Sequence, residues 1–244
     1  MVDKGPVEIE RHHPHFGSVC NKCRWASQSP RPKTAGAMHE DWSMRHTVGF
    51  DLDMTLVDTR RGIAMALSAL AEQTGRPIDV TSIVANLGPP IGEALAPWFS
   101  TDELPGAVQS FRAHMADIGV VNADPLPGAA EALDAVRTAG YAVAVVTSKL
   151  EHLAFATLQH AGLEVDQIFG NTWAAGKADP LRSANAVCFV GDHPGDMVAA
   201  LTARIPSLGV TTGSSTEQEL IKAGAQHVAS SLCEFPEWFE TIAG

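Results

Sequence analysis

The apolar positions of this chain change period several times, and the changes divide it. Val48, Gly49 and Phe50 form a short apolar or small run that stops at Asp51, the pattern of a buried strand ending in a polar loop. From Ile63 the period becomes helical, with Leu67, Leu70 and Ala71 on one face and a stop at Gly75-Arg76-Pro77. Asp79 or Thr81 caps a second short helix ending near Gly88, a third runs from about Ile91 to Phe99, and a fourth carries Val108, Phe111 and Met115 on one face. Nothing between Thr59 and Asn122 reads as a strand, so this stretch is expected to be all-helical.

Beyond Asn122 helices and strands alternate. Ala129, Leu133 and Val136 stripe a helix that starts near Pro127 and ends at Gly140, and Tyr141 to Val146 is an unbroken apolar strand. A helix over Leu150 to His160 follows, then strands over Val165 to Phe169 and Ala186 to Val190. A helix over Asp196 to Arg204, a strand over Ser207 to Val210, a helix near Glu217 to Ala223, a short strand near His227 and a helix from Phe235 complete the chain. Such alternation calls for a parallel sheet covered by helices on both faces, an α/β fold with a helical insertion.

Residues 1–45 hold Pro, His, Ser and Arg without a sustained apolar period and read as a disordered or loosely attached extension. It contains Cys20, Cys23, His12, His13 and His15, ligand types for zinc, but no second spaced pair follows, and a tail with incidental residues is the better reading. Met38 and Met44 are alternative starts. The remaining Cys188 and Cys233 stand far apart in sequence, so no disulfide framework is expected.

The chain has 244 residues and a net charge of −11, yet residues 1–45 carry seven Lys or Arg against five acids, leaving −13 on the rest. A body that acidic repels a nucleic-acid backbone, so no nucleic-acid partner is expected. No apolar run approaches the roughly 20 residues that span a bilayer, and no secretory signal is visible. A cytoplasmic protein without membrane contact is the expectation.

Three of the expected strands end in chemistry: the first in Asp51, the second in Thr147 and a later one in Asp192. Ligands bind at the carboxyl ends of strands in open α/β sheets, and those ends share one edge. A turn at Leu52 would bring Asp51 and Asp53 into one pocket, where two carboxylates repel unless a hard cation such as Mg²⁺ lies between them.

The segments Asp51-Leu52-Asp53-Met54-Thr55, Thr147-Ser148, Lys177 and Gly191-Asp192-His193-Pro194-Gly195-Asp196 resemble, in order, the motifs of the haloacid dehalogenase-like hydrolase superfamily. The similarity covers about residues 46–240 and is nearest in character to its phosphoglycolate phosphatase group. The resemblance implies a Rossmann-like core over 46–58 and 123–244, with a small helical cap over 59–122. It implies that Asp51 is a nucleophile that becomes phosphorylated and Asp53 a general acid then base. Thr147, Ser148 and Lys177 would hold the phosphoryl group; Asp51, the Asp53 carbonyl, Asp192 and Asp196 would hold Mg²⁺. Lys177 is preferred to Lys149 as the motif lysine, Lys149 reading as a solvated residue at a helix start. Gly88, Pro89 and Pro90 are the expected substrate-facing loop of the cap. Arg60 and Arg61 are weighed as partners for a substrate carboxylate against the commoner outcome, exposed helix-start arginines.

The expected activity is hydrolysis of a small phosphate ester, phosphoglycolate-like or a sugar phosphate. A phosphomutase of the same fold is the alternative, and a phospho-accepting signalling module or a binding protein without turnover lies further off. A signalling module has no reason to carry so long a helical insertion. Dehalogenation has no need of an acid at Asp53.

Overall fold

The computed structural model describes residues 46–243. The N-terminal extension, with Cys20, Cys23, the histidines near them, Met38 and Met44, lies outside the described residues.

The first strand, β1 (Thr47–Phe50), is buried along its whole length. It lies at the centre of a six-stranded sheet with β4 (Ala142–Val146) on one side and β6 (Ala186–Gly191) on the other. β5 (Gln167–Phe169) lies beyond β4; β7 (Ser207–Val210) and β8 (His227–Ala229) lie beyond β6. Every pairing in this sheet is parallel. Strands buried on both faces cannot alternate apolar with polar, which is why β4 reads as an unbroken run of Ala and Val.

One face of the sheet packs on α5 (Ala129–Thr138), which buries Ala129, Ala132, Leu133 and Val136, and on α10 (Phe235–Ala243), whose Phe235 ring lies 5.2 Å from that of Phe50. The opposite face carries α7 (Ala178–Ser183) and α8 (Pro194–Ala203), with Leu181, Ala199 and Ala200 buried against Val146 and Phe189. Gly49 is small because Leu181 packs on it: a Cβ there would lie 2.6 Å from a Leu181 methyl.

Between β1 and β4 the chain leaves the sheet. A second, antiparallel pair, β2 (Val57–Asp58) with β3 (Asp124–Pro125), closes the neck of the excursion. Runs of two residues show no period, and the sequence reading had no strands there. Within the excursion lie α1 (Arg60–Thr74), α2 (Val80–Ala85), α3 (Ile91–Leu95) and α4 (Leu104–His114). No strand occurs between β2 and β3. Gly75 ends α1 in the left-handed region at φ 65°, and the Asp79 carboxylate caps α2 by accepting the Ser82 amide. Past α4 the chain widens into a π turn over Met115–Gly119.

The helical segment has its own apolar centre, built from Leu67, Leu70, Leu95, Phe111 and Met115, and it extends onto Leu153 of α6 (Glu151–Ala161). Its tightest point is the contact of α1 with the π turn, where a Cβ on Gly62 would lie 2.1 Å from the Gly119 carbonyl oxygen. Gly62→Ala is therefore expected to destabilise the fold by about 1–3 kcal/mol, because backbone must move to admit the methyl. Gly106→Ala, in a helix with open space around it, is expected to stabilise by about 0.4–1 kcal/mol. Urea unfolding of both variants checks the contrast, and equal effects would refute the packing argument.

Candidate active site

At the end of β1 the Asp51 amide donates to the Val190 carbonyl at 2.8 Å, which ties the first acid to the neighbouring strand end. The chain then turns sharply. The Leu52 carbonyl accepts the amides of Thr55, Leu56 and Val57, and Met54 takes φ 65°, a left-handed backbone supported by the Thr212 hydroxyl donating to its carbonyl. This tight turn places Asp51 and Asp53 on the wall of one cavity.

Lys177 organises the floor. Its Nζ donates to Asp51 Oδ1 and to Asp196 Oδ1, both at 2.7 Å, with the side chain 2% exposed. It reaches the site from a 3₁₀ turn over Ala174–Lys177 that leads into α7, a short helix between Lys177 and Asp192. Asp196 is fixed a second time by the His193 amide, which donates to its Oδ2 at 3.1 Å across the first turn of α8. Asp192, at the end of β6, accepts the Thr55 hydroxyl at 2.9 Å. Two glycines make room for these carboxylates. A Cβ on Gly191 would lie 2.5 Å from the Asp196 carboxyl, and one on Gly213 would lie 1.8 Å from Asp192 Oδ2.

Burial sets the electrostatics. It pushes Asp51 up to about 7; Lys177 pulls the other way, and the charges of Asp196 and Asp53 add to the rise. Asp192 is raised well above the ordinary carboxylate range, by burial and then by the charges of Asp51 and Asp196. Burial also works against the charge of Lys177, but Asp196 and Asp51 outweigh it and hold the ammonium above the usual lysine value. Oxygens of Asp51, Asp192 and Asp196 lie within 4.8 Å of one another, all three residues buried. Three carboxylates against one ammonium leave two negative charges uncompensated, which is the charge of one divalent cation, and hard oxygen donors suit such an ion. The donor set fits a metal, and Asp51, Asp192 and Asp196 would hold it.

Thr147 ends β4, is buried, and accepts the Lys149 amide at 3.2 Å, while Ser148 lines the cavity. Lys149 is not solvated, as its place at a helix start suggested. Its side chain is 8% exposed, and Nζ donates to Asp53 Oδ1 at 2.7 Å. Both lysines weighed from the sequence therefore reach the site, Lys177 at the first acid and Lys149 at the second. Arg60 instead pairs with Asp58 on the surface, and neither Arg60 nor Arg61 lines the cavity.

The cavity measures about 300 Å³ and opens between the strand ends and the helical segment. Gly88, Pro89 and Pro90 line it. Gly88, at φ 140°, packs on His193, where a Cβ would lie 2.6 Å from the ring; Trp173 covers another side of that ring, with centroids 4.9 Å apart. Sequence reasoning did not single out Thr55 as a partner of Asp192, nor Trp173, nor Arg112 of α4 on the cavity wall. For Arg112 a signal existed: it lies four positions after Val108, on the apolar face of its helix.

Residues 48–210 match the family model described as haloacid dehalogenase-like hydrolase. A phosphoglycolate phosphatase of Rhodospirillum rubrum is 31% identical over 220 residues, covering 80% of this chain and 92% of that protein. The Dickeya dadantii protein named probable phosphatase IndB is 31% identical over 211 residues, 78% of this chain and 92% of its own. Among solved structures, a predicted phosphatase from Clostridium acetobutylicum superposes with a TM-score of 0.69 at 26% identity, covering 82% of this chain and all of that one, 100%.

The buried acids give a direct test. Burial pushes Asp51 up to about 7 in the fold from the ordinary carboxylate value of 3.8 in the unfolded chain, so the folded state holds the extra proton between them. Stability of the metal-free protein is then present at low pH and lost as pH rises through about 4 to about 7. A divalent cation held by these acids would take their deprotonated form. Magnesium at 100-fold its dissociation constant is expected to stabilise the protein at pH 7.5 by about 2.7 kcal/mol, and by much less at pH 5. Thermal melts with and without magnesium check this, and an equal gain at both pH values would contradict it.

Proposed function

This chain belongs to the haloacid dehalogenase-like hydrolases and is an enzyme of the phosphatase kind, and from that premise we propose that it hydrolyses a small phosphorylated metabolite with Mg²⁺, through a phosphorylated Asp51. The observation that carries the proposal is the meeting of four side chains from three separate segments around one cavity: Asp51 and Asp53 after β1, Lys177 on the 3₁₀ turn before α7, and Asp192 after β6. Relatives named as phosphoglycolate phosphatases support a small ester as the substrate.

In the first half-reaction an Asp51 oxygen attacks phosphorus and the bond from phosphorus to the ester oxygen breaks. The departing oxygen takes a proton from Asp53, leaving as an alcohol. In the second, Asp53 takes a proton from water, the water oxygen attacks phosphorus, and the bond to Asp51 breaks to release inorganic phosphate. Magnesium, when held by Asp51, the Asp53 carbonyl, Asp192 and Asp196, supplies positive charge against the phosphoryl oxygens. Thr147 and the Ser148 amide position those oxygens. Lys177 compensates charge at Asp51 and is itself aimed by Asp196.

Lys149 has a part that the sequence did not suggest. Its Nζ donates to Asp53 Oδ1 at 2.7 Å, so each of the two acids after β1 is met by a lysine. A bound phosphoryl group carries more negative charge than one carboxylate and competes with Asp53 for the Lys149 ammonium.

The helical segment over residues 59–122 serves as a cap. Its Gly88–Pro90 loop rests on His193, and a cap in that position keeps bulk water from the phosphorylated intermediate until the alcohol leaves.

Two variants test the assignment. Asp51→Asn is expected to abolish phosphate release, and wild-type rates in that variant would refute the nucleophile. Asp53→Asn is expected to slow transfer from alkyl phosphates by about 10²–10⁴-fold and from p-nitrophenyl phosphate far less, since a good leaving group needs little protonation. Single-turnover phosphorylation with both ester types measures the difference. A uniform loss would move the acid role elsewhere.

A further inference from the structure

The two halves of the cavity wall differ in chemistry. The sheet side offers carboxylates, lysines and hydroxyls. The helical side presents Ile63, Ile83, Leu87, Ile91, Phe111 and Met115, with Val108, Ala94 and the prolines between them. Only two side chains of the helical side are amide or charged, Asn86 and Arg112. Asn86 is turned back on its own helix, its amide donating to the Ser82 carbonyl at 2.9 Å.

Arg112 is different. It shares the inward face of α4 with Val108 and Phe111, and Met115 continues that face at the start of the π turn, at the spacing that aligns side chains along a helix. It is half-buried and has neither an ion-pair nor a hydrogen-bond partner among the described residues. The lysines on the opposite, sheet side of the cavity are already engaged, Lys149 by Asp53 and Lys177 by Asp51 and Asp196. A guanidinium left over on an apolar wall can take an anion from the ligand. A single guanidinium matches one planar carboxylate by its paired N–H groups.

We propose that the substrate is the phosphate monoester of a hydroxy acid with an apolar carbon body, its carboxylate taken by Arg112 and its body by the helical wall. The proposal rests on the phosphatase reading above and narrows it. A sugar phosphate would bring hydroxyls against Ile83, Leu87 and Phe111, where hydrogen bonds given up to water are not replaced. Phosphoglycolate has a carboxylate but no body, and leaves the apolar wall uncovered.

The test compares kcat/KM in Mg²⁺ for four esters: the phosphate of 3-phenyllactate, its analogue with methyl in place of carboxylate, phosphoglycolate and glucose 6-phosphate. Phosphophenyllactate is expected to exceed its methyl analogue by about 10–100-fold, the worth of a charged hydrogen-bonded contact, chiefly through KM. It is expected to exceed phosphoglycolate and glucose 6-phosphate by at least about 100-fold. Arg112→Met keeps the length and apolar stem, and should bring the ratio of phenyllactate ester to methyl analogue within about 3-fold, with Arg112→Lys in between. A preference for glucose 6-phosphate or phosphoglycolate, or a ratio that Arg112→Met leaves unchanged, overturns the proposal. Failure of the underlying reading looks different: no ester is hydrolysed, p-nitrophenyl phosphate included, or Asp51→Asn turns over like wild type.

Discussion

The ammonium of Lys177 holds the site together. Three carboxylates, Asp51, Asp192 and Asp196, are buried at the ends of β1 and β6, and without a cation their repulsion and desolvation would have no counterweight. Lys177 meets two of them at 2.7 Å and leaves Asp192 to the Thr55 hydroxyl. Its position follows from an irregular stretch of chain. Asn171 and Ala174 both take positive φ, and the 3₁₀ turn after Ala174 directs the side chain under the sheet edge, 5.5 Å from the Phe189 ring centroid. The arrangement still carries surplus negative charge. The acids that Lys177 leaves uncompensated could hold a cation, so one buried lysine bears on both the packing and the charge of the site.

The same economy explains the glycines at the strand ends. Gly191 and Gly213 make no contact of their own that a larger residue would improve; they leave volume into which Asp196 and Asp192 fit. Gly88 does the corresponding thing between the two layers, allowing the Pro-rich loop to approach His193 more closely than any side chain would permit. Packing against a planar ring from two sides, Gly88 from the helical segment and Trp173 from the core, gives the segment a defined resting place over the strand ends.

The fold was largely legible because its strong signals are local. Strands β1, β4 and β6 are continuous apolar runs ending in Asp or Thr, and α1 and α5 carry their stripes at helical period with glycine stops. What was not legible depends on partners far away in sequence. The pairing of Val57–Asp58 with Asp124–Pro125 is too short to have a pattern, although it closes the neck of the helical segment. Thr55 reaches Asp192 across 137 positions, and Lys149 reaches Asp53 across 96. A lysine at the start of a helix ordinarily faces water, so nothing local distinguished Lys149 from a solvated residue. Arg112 was passed over for a related reason: Val108, Phe111 and Met115 define the apolar face of α4, and a charged residue beside them is normally assigned to the polar side.

On the proposed reading, recognition of the phosphate and recognition of the rest of the substrate fall to different parts of the chain. The acids, lysines and hydroxyls that can meet a phosphoryl group come from the ends of β1, β4 and β6, placed by the ladder of the parallel sheet, and, for Lys177, from the 3₁₀ turn that leads into α7. The wall that can meet a leaving group comes from α1, α2, α3 and α4, a segment with its own apolar cluster and few contacts at its neck. Substitutions at Ile83, Leu87, Val108 or Arg112 can reshape that wall without moving Asp51, because none of these residues packs into the sheet cluster. Catalytic geometry and substrate choice can vary separately only where the two sets of contacts are separate, and here the division falls at the neck formed by β2 and β3.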